Sequence, residues 1–134
     1  MLEEKARLIL KFLLDGEELG LNVSDIKEVN QLPQMRPVKD TSKIIGLINL
    51  HGETTPVLDL AKSEMRTKDI FVALKTKHGP LCLLVERLVG FENVYENEID
   101  DPEKMVLKCN KFLFQFTYIK SGSVVPVLDI NNLI

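Results

Sequence analysis

Two short stretches of the chain, TTPVLDL at 54–60 and VVPVLDI at 124–130, are nearly the same, although 70 positions separate them in a sequence of 134 residues. A second alignment, offset by 62 positions, places ELGLNVSDIKEV at 18–29 beside PLCLLVERLVGF at 80–91, with apolar residues facing apolar residues. Two blocks that recur in the same order indicate a repeated unit of about 65 residues, which is half of the chain.

Each half consists of short apolar runs that meet at glycine-containing turns, a pattern typical of β-hairpins. The predicted turns are Asp15-Gly16, His51-Gly52, His78-Gly79 and Ser121-Gly122. Helical signals are weak, and SDIKEV at 24–29 is compatible with a single turn capped by Ser24 or Asp25. Short strands with frequent turns predict small barrels, because a closed barrel leaves no open sheet edge.

The sequence therefore predicts an all-β protein made of two small five-stranded barrels, related by the internal repeat. The first barrel is expected at about 1–66 and the second at about 67–134, and an exchange of strands between them stays open. A barrel of this size is marginal alone, so the two barrels are expected to pack on a shared hydrophobic core.

Composition narrows the function classes. The net charge of −3 and the absence of a lysine- and arginine-rich cluster with interleaved aromatics argue against nucleic-acid binding. Cys82 and Cys109 are too few for a disulfide framework, and Cys82 is predicted to be a buried apolar residue. The N-terminal segment lacks a basic leader and its apolar stretch is short, which predicts a cytoplasmic protein without direct membrane insertion.

The repeated stretch contains one proline and one aspartate in each half. Pro56 and Pro126 cannot donate a ladder hydrogen bond, so each is predicted at an edge, a bulge or a barrel corner. Asp59 and Asp129 lie where their strands end, a usual position for an aspartate that caps a turn. These four residues are thus expected to build the same structural corner twice.

A pair of aspartates from two duplicated β lobes also raises the hypothesis of a hydrolase with two catalytic carboxylates. Neither Asp59 nor Asp129 is followed by the small hydroxyl residue and glycine of that arrangement, so capping is the favoured interpretation. Phosphate-binding glycine loops and nucleophile motifs are absent from the sequence. His51 and His78 stand beside turn glycines without ligands at metal-binding spacing. We expect no catalytic residue, no cofactor and no metal.

The segment from 10 to 62, LKFLLDGEELGLNVSDIKEVN…KIIGLINLHGETTPVLDLAK, resembles the CheW family of bacterial chemotaxis coupling proteins, and its densest motif runs from 46 to 60. The second half, with GPLCLLVERLVGF and VVPVLDINNLI, resembles that family as well. The resemblance implies two five-stranded, SH3-like barrels on a common core. It also implies an adaptor that joins the regulatory domain of a CheA-type histidine kinase to the cytoplasmic tip of chemoreceptors at membrane arrays, with self-association into rings.

The positions that the resemblance assigns to receptor and kinase coupling are Ile26, Glu28, Val29, Gly46, Asn49 and His51. Glu28 aligns with Gly90 in the repeat, so the fold itself does not demand a charge there. The family pattern has arginine at the position of His51, and an imidazole with the reference pKa of about 6.5 is mostly neutral at pH 7. A divergent or inhibitory scaffold that binds kinase but not receptor, and a double barrel that binds a small ligand, remain alternatives.

Overall fold

A computed structural model of the chain describes residues 6–39, 43–61, 69–100 and 114–133. The described residues form short strands and three single 3-10 turns. The strands are β1 (Ala6–Leu14), β2 (Glu17–Asn22), β3 (Ile26–Gln31), β4 (Arg36–Pro37), β5 (Ile44–Leu50), β6 (Glu53–Leu58), β7 (Ile70–Thr76), β8 (Gly79–Val85), β9 (Arg87–Tyr95), β10 (Ile99–Asp100), β11 (Phe114–Lys120) and β12 (Ser123–Leu128). The 3-10 turns are Val23–Asp25, Glu96–Glu98 and Ile130–Asn132.

The strands form two sheets with the same architecture. Sheet A has the order β10-β11-β12-β2-β1-β9, and sheet B has the order β3-β7-β8-β6-β5-β4. Hairpin β1–β2 of the first half pairs with strands of the second half, and hairpin β7–β8 of the second half pairs with strands of the first. The predicted boundary near residue 66 lies outside the described residues, and it divides the two sequence repeats rather than the two sheets.

Each sheet is curled, because its two edge strands are neighbours in the chain. In sheet A the edges β9 and β10 are joined by the turn Glu96–Glu98, and in sheet B the edges β3 and β4 are joined by residues 32–35. In sheet A, β9 and β10 can be counted as one bent strand, and in sheet B the same holds for β3 and β4. Each sheet is then a five-stranded barrel. The all-β, two-barrel prediction is confirmed, with strands from both repeats in each barrel.

Three apolar clusters account for the burial. One lies inside barrel A and includes Ile9 and Tyr118, and one lies inside barrel B and includes Phe71 and Cys82. The largest cluster takes residues from both sheets, among them Phe12 and Leu83. Strands β7 and β8 are buried on both faces, which explains why IFVAL and LCLLV read as continuous apolar runs rather than alternating ones.

The single turn predicted within 24–29 is present, but it begins one residue earlier, and the predicted caps Ser24 and Asp25 lie inside it. The 3-10 turn covers Val23–Asp25. The residue before it, Asn22, is at the N-cap position and makes no side-chain capping bond. From Ile26 onward the chain is strand β3, which pairs with β7. The β-branched residues Ile26 and Val29 and the ladder offered by β7 outweigh the local capping signal.

The repeated prolines lie where a parallel ladder begins. In sheet B the pairing of β6 with β8 begins at Val57, immediately after Pro56. In sheet A the pairing of β12 with β2 is at Val127, immediately after Pro126. Each proline therefore lies one residue before the parallel ladder, where its lack of a backbone N–H removes no hydrogen bond of that ladder. This is the corner at which the strand gains its second neighbouring strand.

Candidate functional site

Glu28 and His51, two of the predicted coupling residues, contact each other. His51 Nε2 lies 2.6 Å from Glu28 Oε1, although the residues belong to β3 and to the turn between β5 and β6. The His51 side chain is 79% exposed and that of Glu28 is 27% exposed. The contact thus places an imidazole at the surface, over a carboxylate that is largely covered.

Two local features of the backbone produce this contact. Strand β3 contains an irregularity between Ile26 and Glu28, so that Ile26 pairs with Leu74 and Glu28 with the adjacent Ala73. The extra residue re-aims the side chains of the strand, as a β-bulge does. Consequently Ile26 packs against the shared core while Glu28 is available to the histidine.

The other feature is the tight turn that holds the histidine. His51 and Gly52 both have positive φ, 51° and 88°, as a two-residue type I′ hairpin turn requires. The Asn49 side chain fixes this turn, because its Oδ1 accepts a hydrogen bond of 2.8 Å from the Gly52 backbone N–H. Asn49 therefore positions the imidazole through the backbone of the turn.

The remaining predicted coupling residues have different surroundings. Val29 follows Glu28 in the strand, so its side chain points to the opposite face of β3, where it is 36% exposed. Gly46 is buried, and a Cβ built on it would approach Met35 Cγ to 2.5 Å and the Arg36 carbonyl oxygen to 2.7 Å. Gly46 thus permits the close approach of β4 and β5. We name Glu28, Asn49 and His51 the coupling face.

The repeated aspartates cap the turns that follow them. Asp59 Oδ1 accepts from the Ala61 N–H at 3.0 Å, and Asp129 Oδ1 accepts from the Asn131 N–H at 3.2 Å. Asp129 Oδ2 also accepts from the Asn132 side-chain amide at 3.1 Å. The equivalent bonds in both halves agree with the structural interpretation of the repeat. In the described part of the chain, His, Cys, Asp and Glu side chains form no group of three that could hold a metal ion.

Barrel A carries an exposed apolar surface that the sequence analysis did not select. Phe91 is 67% exposed on the edge strand β9, Val89 precedes it by two residues, and Leu8 lies diagonally across on β1. We name these three residues the apolar face. The repeat contained the signal, because Phe91 aligns with Val29 of β3 at the offset of 62. The two barrels therefore present related positions with different chemistry.

An open cleft of about 640 Å³ lies between the start of β1, the turn Val23–Asp25 and the end of β12. Its lining includes Arg7, Asp25 and Asp129. Burial and then the negative charge of Asp129 raise the pKa of the Asp25 carboxyl, whereas a hydrogen bond with Asn22 opposes them. The ionised form of Asp25 is therefore less favourable in the folded protein than in the unfolded chain.

We expect Asp25→Asn to stabilise the protein at pH 7. A raised native pKa means that the folded state retains the proton to higher pH, so this group's contribution to stability falls as pH rises through the native value. Below the ordinary aspartate value, 3.8, both states are protonated and the difference between variant and wild type should vanish. Urea unfolding at about pH 3 and at pH 7 measures it. An equal difference at both pH values would contradict the assigned cause.

Among the residues that the structure describes, no helix has the length and apolar composition that a membrane span requires.

Comparisons with known proteins agree with this architecture. A family model, the CheW-like domain, matches residues 8–134. The chain is 33% identical over 135 residues to a chemotaxis protein CheW of Thermotoga maritima, covering 94% of this chain and 86% of that protein. It is 23% identical over 130 residues to a chemotaxis protein CheW of Treponema pallidum, covering 88% of this chain and 76% of that protein.

A solved structure shows the same fold. The scaffolding protein TtCheW of Thermoanaerobacter tengcongensis superposes with a TM-score of 0.84 at 21% identity, over 98% of this chain and 89% of that one. The family match, the sequence relatives and the two exchanged barrels lead to one conclusion. The chain belongs to the CheW-like domain family, whose members are non-enzymatic scaffolding proteins.

Proposed function

We propose that the chain is an adaptor that couples a CheA-type histidine kinase to chemoreceptors. The observation that carries the proposal is the coupling face, in which the Glu28–His51 contact joins two segments that match the family pattern. An exposed imidazole held by a partly covered carboxylate is suited to protein recognition, in which polar groups at the rim of an interface fix orientation.

The presence of two faces supports a bridging role. An adaptor has to contact its partners simultaneously, and the coupling face lies on barrel B whereas the apolar face lies on barrel A. Strands β3 and β9 are equivalent edge strands of the duplicated fold. Glu28 and Val29 lie on β3, and Gly90 and Phe91 lie at the equivalent positions of β9. Different side chains on equivalent strands allow one molecule to bind dissimilar partners.

The proposed setting is the cytoplasmic side of a membrane receptor array. The partners are the regulatory domain of the kinase and the cytoplasmic tip of a methyl-accepting chemoreceptor, and heterologous barrel-to-barrel contacts extend the assembly into rings. The family match and the chemotaxis relatives support this setting.

The test is a titration of the protein with the kinase regulatory domain and, separately, with a receptor tip fragment. We expect Glu28→Gln to weaken binding of at least one partner by about tenfold, since the variant loses the charge of the pair in a recognition surface. Glu53→Gln, which changes an exposed acid on β6 in the same sheet, is the matched control and should bind as the wild type does. Wild-type protein that binds neither partner would refute the adaptor function.

A second candidate is an inhibitory scaffold that binds the kinase and not the receptor. His51, which stands where the family pattern has arginine, is the observation that favours it, because an imidazole lacks the permanent charge and the forked donors of a guanidinium. Binding to the kinase alone, with receptor binding gained in His51→Arg, would establish this candidate. The hydrolase alternative receives no support, since both aspartates cap their own turns.

A further inference from the structure

We propose that two copies of the chain exchange their β1–β2 hairpins, so that the hairpin of each copy completes barrel A of the other. The binding surface is the slot between β9 and β12, and its partner is a second copy of this chain. The exchange itself goes beyond the proposed function. Its consequence for coupling, a molecule with two coupling faces, rests on that function.

The path of the chain between the two sheets makes this hairpin separable. Barrel B is built from β3 to β8, which follow one another along the chain, whereas barrel A combines β1 and β2 with β9–β12. Between β2 and β3 the chain passes from sheet A to sheet B through the three residues Val23–Asp25. On its C-terminal side, this short connection is the covalent link of the hairpin to the rest of the fold.

An exchanged dimer would reproduce the non-covalent contacts of the hairpin. Strand β1 pairs with β9 from Ala6 to Leu13, and β2 pairs with β12 at Gly20. The hairpin also contributes Ile9 to the cluster inside barrel A and Phe12 to the cluster that both sheets share. A hairpin from a second copy would occupy the same slot and bury the same side chains. Exchange therefore costs no buried surface, and only the connection changes its conformation.

The connection is weakly held in its closed form. Asn22 makes no side-chain capping bond to the turn, and none of the residues Val23–Asp25 is fully buried. Asp25 also shares the open cleft with Asp129. Burial and then the negative charge of Asp129 raise the pKa of the Asp25 carboxyl, and an extended connection would release Asp25 from this position. Short connections whose closed form is unfavourable promote exchange between copies.

The length of the connection restricts the shape of the dimer. Three extended residues span about 10 Å, so the two exchanged units must lie side by side at the clefts beside Val23–Asp25. Each copy keeps its own β3–β8 and hence its own coupling face. A binding partner that carries repeated sites would therefore bind the dimer more tightly than the monomer, because the second contact forms within one complex.

A disulfide between β1 and β9 distinguishes exchange from every other form of association. Leu8 and Asn93 are register partners, and both are exposed. The full chain with Leu8→Cys, Asn93→Cys and Cys109→Ser is unfolded in urea under reducing conditions and refolded at several concentrations. It is then diluted to one common concentration and oxidised at once. The disulfide lies within one chain in the monomer and joins two chains in the exchanged dimer, which a denaturing, non-reducing gel separates.

We expect covalent dimers after refolding at about 1 mM, and at least about tenfold fewer after refolding at about 1 μM, because a short linker gives an effective concentration in the millimolar range. Disulfides that lie within single chains at both concentrations would overturn the inference. The same holds if sedimentation shows dimers whose disulfides are all within single chains, since such dimers form by contact between barrel surfaces.

A matched pair of variants tests the connection, in the same cysteine background. Asp25→Pro disfavours the closed turn, because Ser24 lies within the 3-10 turn and a residue before proline avoids helical backbone angles. Asp25→Ala removes the same carboxylate without this effect. Asp25→Pro should give severalfold more covalent dimer than Asp25→Ala after refolding at equal concentration. Equal yields would overturn the assignment of Val23–Asp25 as the hinge, and if Asp25→Pro does not fold, the concentration series still decides.

Neither readout involves a kinase or a receptor. Failure of the exchange would therefore leave the proposed function intact, and absence of partner binding would overturn that function without affecting the exchange.

Discussion

Phe12→Ala is expected to lower the free energy of unfolding by about 3–5 kcal/mol, the usual cost of removing a fully buried phenylalanine side chain. Phe12 lies on β1 in sheet A, is fully buried, and belongs to the cluster that both sheets share. The cavity would open between the barrels rather than inside one of them. Because each sheet also contains a hairpin from the other half, the loss should destabilise both barrels together.

The chain contains a natural probe for each barrel. Its two tyrosines, Tyr95 and Tyr118, lie on strands of sheet A, and the sequence has no tryptophan, so tyrosine fluorescence reports on that barrel. Cys82 lies inside barrel B, where its burial prevents reaction with a thiol reagent until the barrel opens. In a Cys109→Ser background, urea titrations followed by both probes should give coincident transitions for wild type and Phe12→Ala.

The matched control is Val124→Ala, which truncates an apolar side chain that is 54% exposed on the same sheet. Its effect should stay within about 0.5 kcal/mol, as is usual for surface positions. Separate transitions for the tyrosine and thiol probes in Phe12→Ala would show that the barrels unfold independently, contrary to the exchanged-hairpin argument.

Gly46→Ala is expected to cost about 1–3 kcal/mol, because the new methyl group overpacks the contact between β4 and β5. The added Cβ would lie 2.5 Å from Met35 Cγ, 2.6 Å from Met35 Sδ and 2.7 Å from the Arg36 carbonyl oxygen. A methionine side chain can move, but the carbonyl oxygen moves only with the strand. Thermal and urea unfolding of the variant measure the cost.

A double variant separates the two sources of strain. In a Met35→Ala background, Gly46→Ala should cost less than in the wild type, since only the contact with the Arg36 carbonyl remains. Thr54→Ala, an exposed change on the adjacent strand β6, controls for the general effect of substitution in this sheet. Wild-type stability of Gly46→Ala would show that the two-residue strand β4 moves away without loss, and that the glycine is not required for packing.

Much of the fold was predictable because its signals are local. The glycine turns at Asp15-Gly16, His51-Gly52 and Ser121-Gly122 have the positive φ values that their residue types favour, and they separate strands where the hydrophobic pattern predicts them. The repeat also predicted that there are two barrels, since two halves with equivalent patterns are expected to have equivalent folds. The turn proposed within 24–29 was predicted only in part. The chain turns at Val23–Asp25, but from Ile26 onward pairing with β7, which lies more than forty residues away in the chain, outweighs the local capping signal.

The candidate site was predictable in part. Glu28, Val29, Asn49 and His51 were selected on the sequence through a resemblance, but nothing in it indicated that Glu28 and His51 touch across 23 positions. That contact requires the irregularity in β3 and the turn fixed by Asn49 at the same time. The apolar face escaped selection because Phe91 has the pattern of a core residue, and only the three-dimensional arrangement shows that it is exposed.

The sequence by itself determined the strands, the hairpin turns, the duplication and the family of this protein, because periodicity, turn chemistry and motif spacing are written along the chain. The tertiary structure alone decided which hairpin completes which barrel. The repeats make β3 and β9 equivalent partners, so local preference cannot distinguish pairing of β1 with its own half from pairing with the other half. The choice depends on the path of the connections and on packing in the shared core, which involve both halves at once.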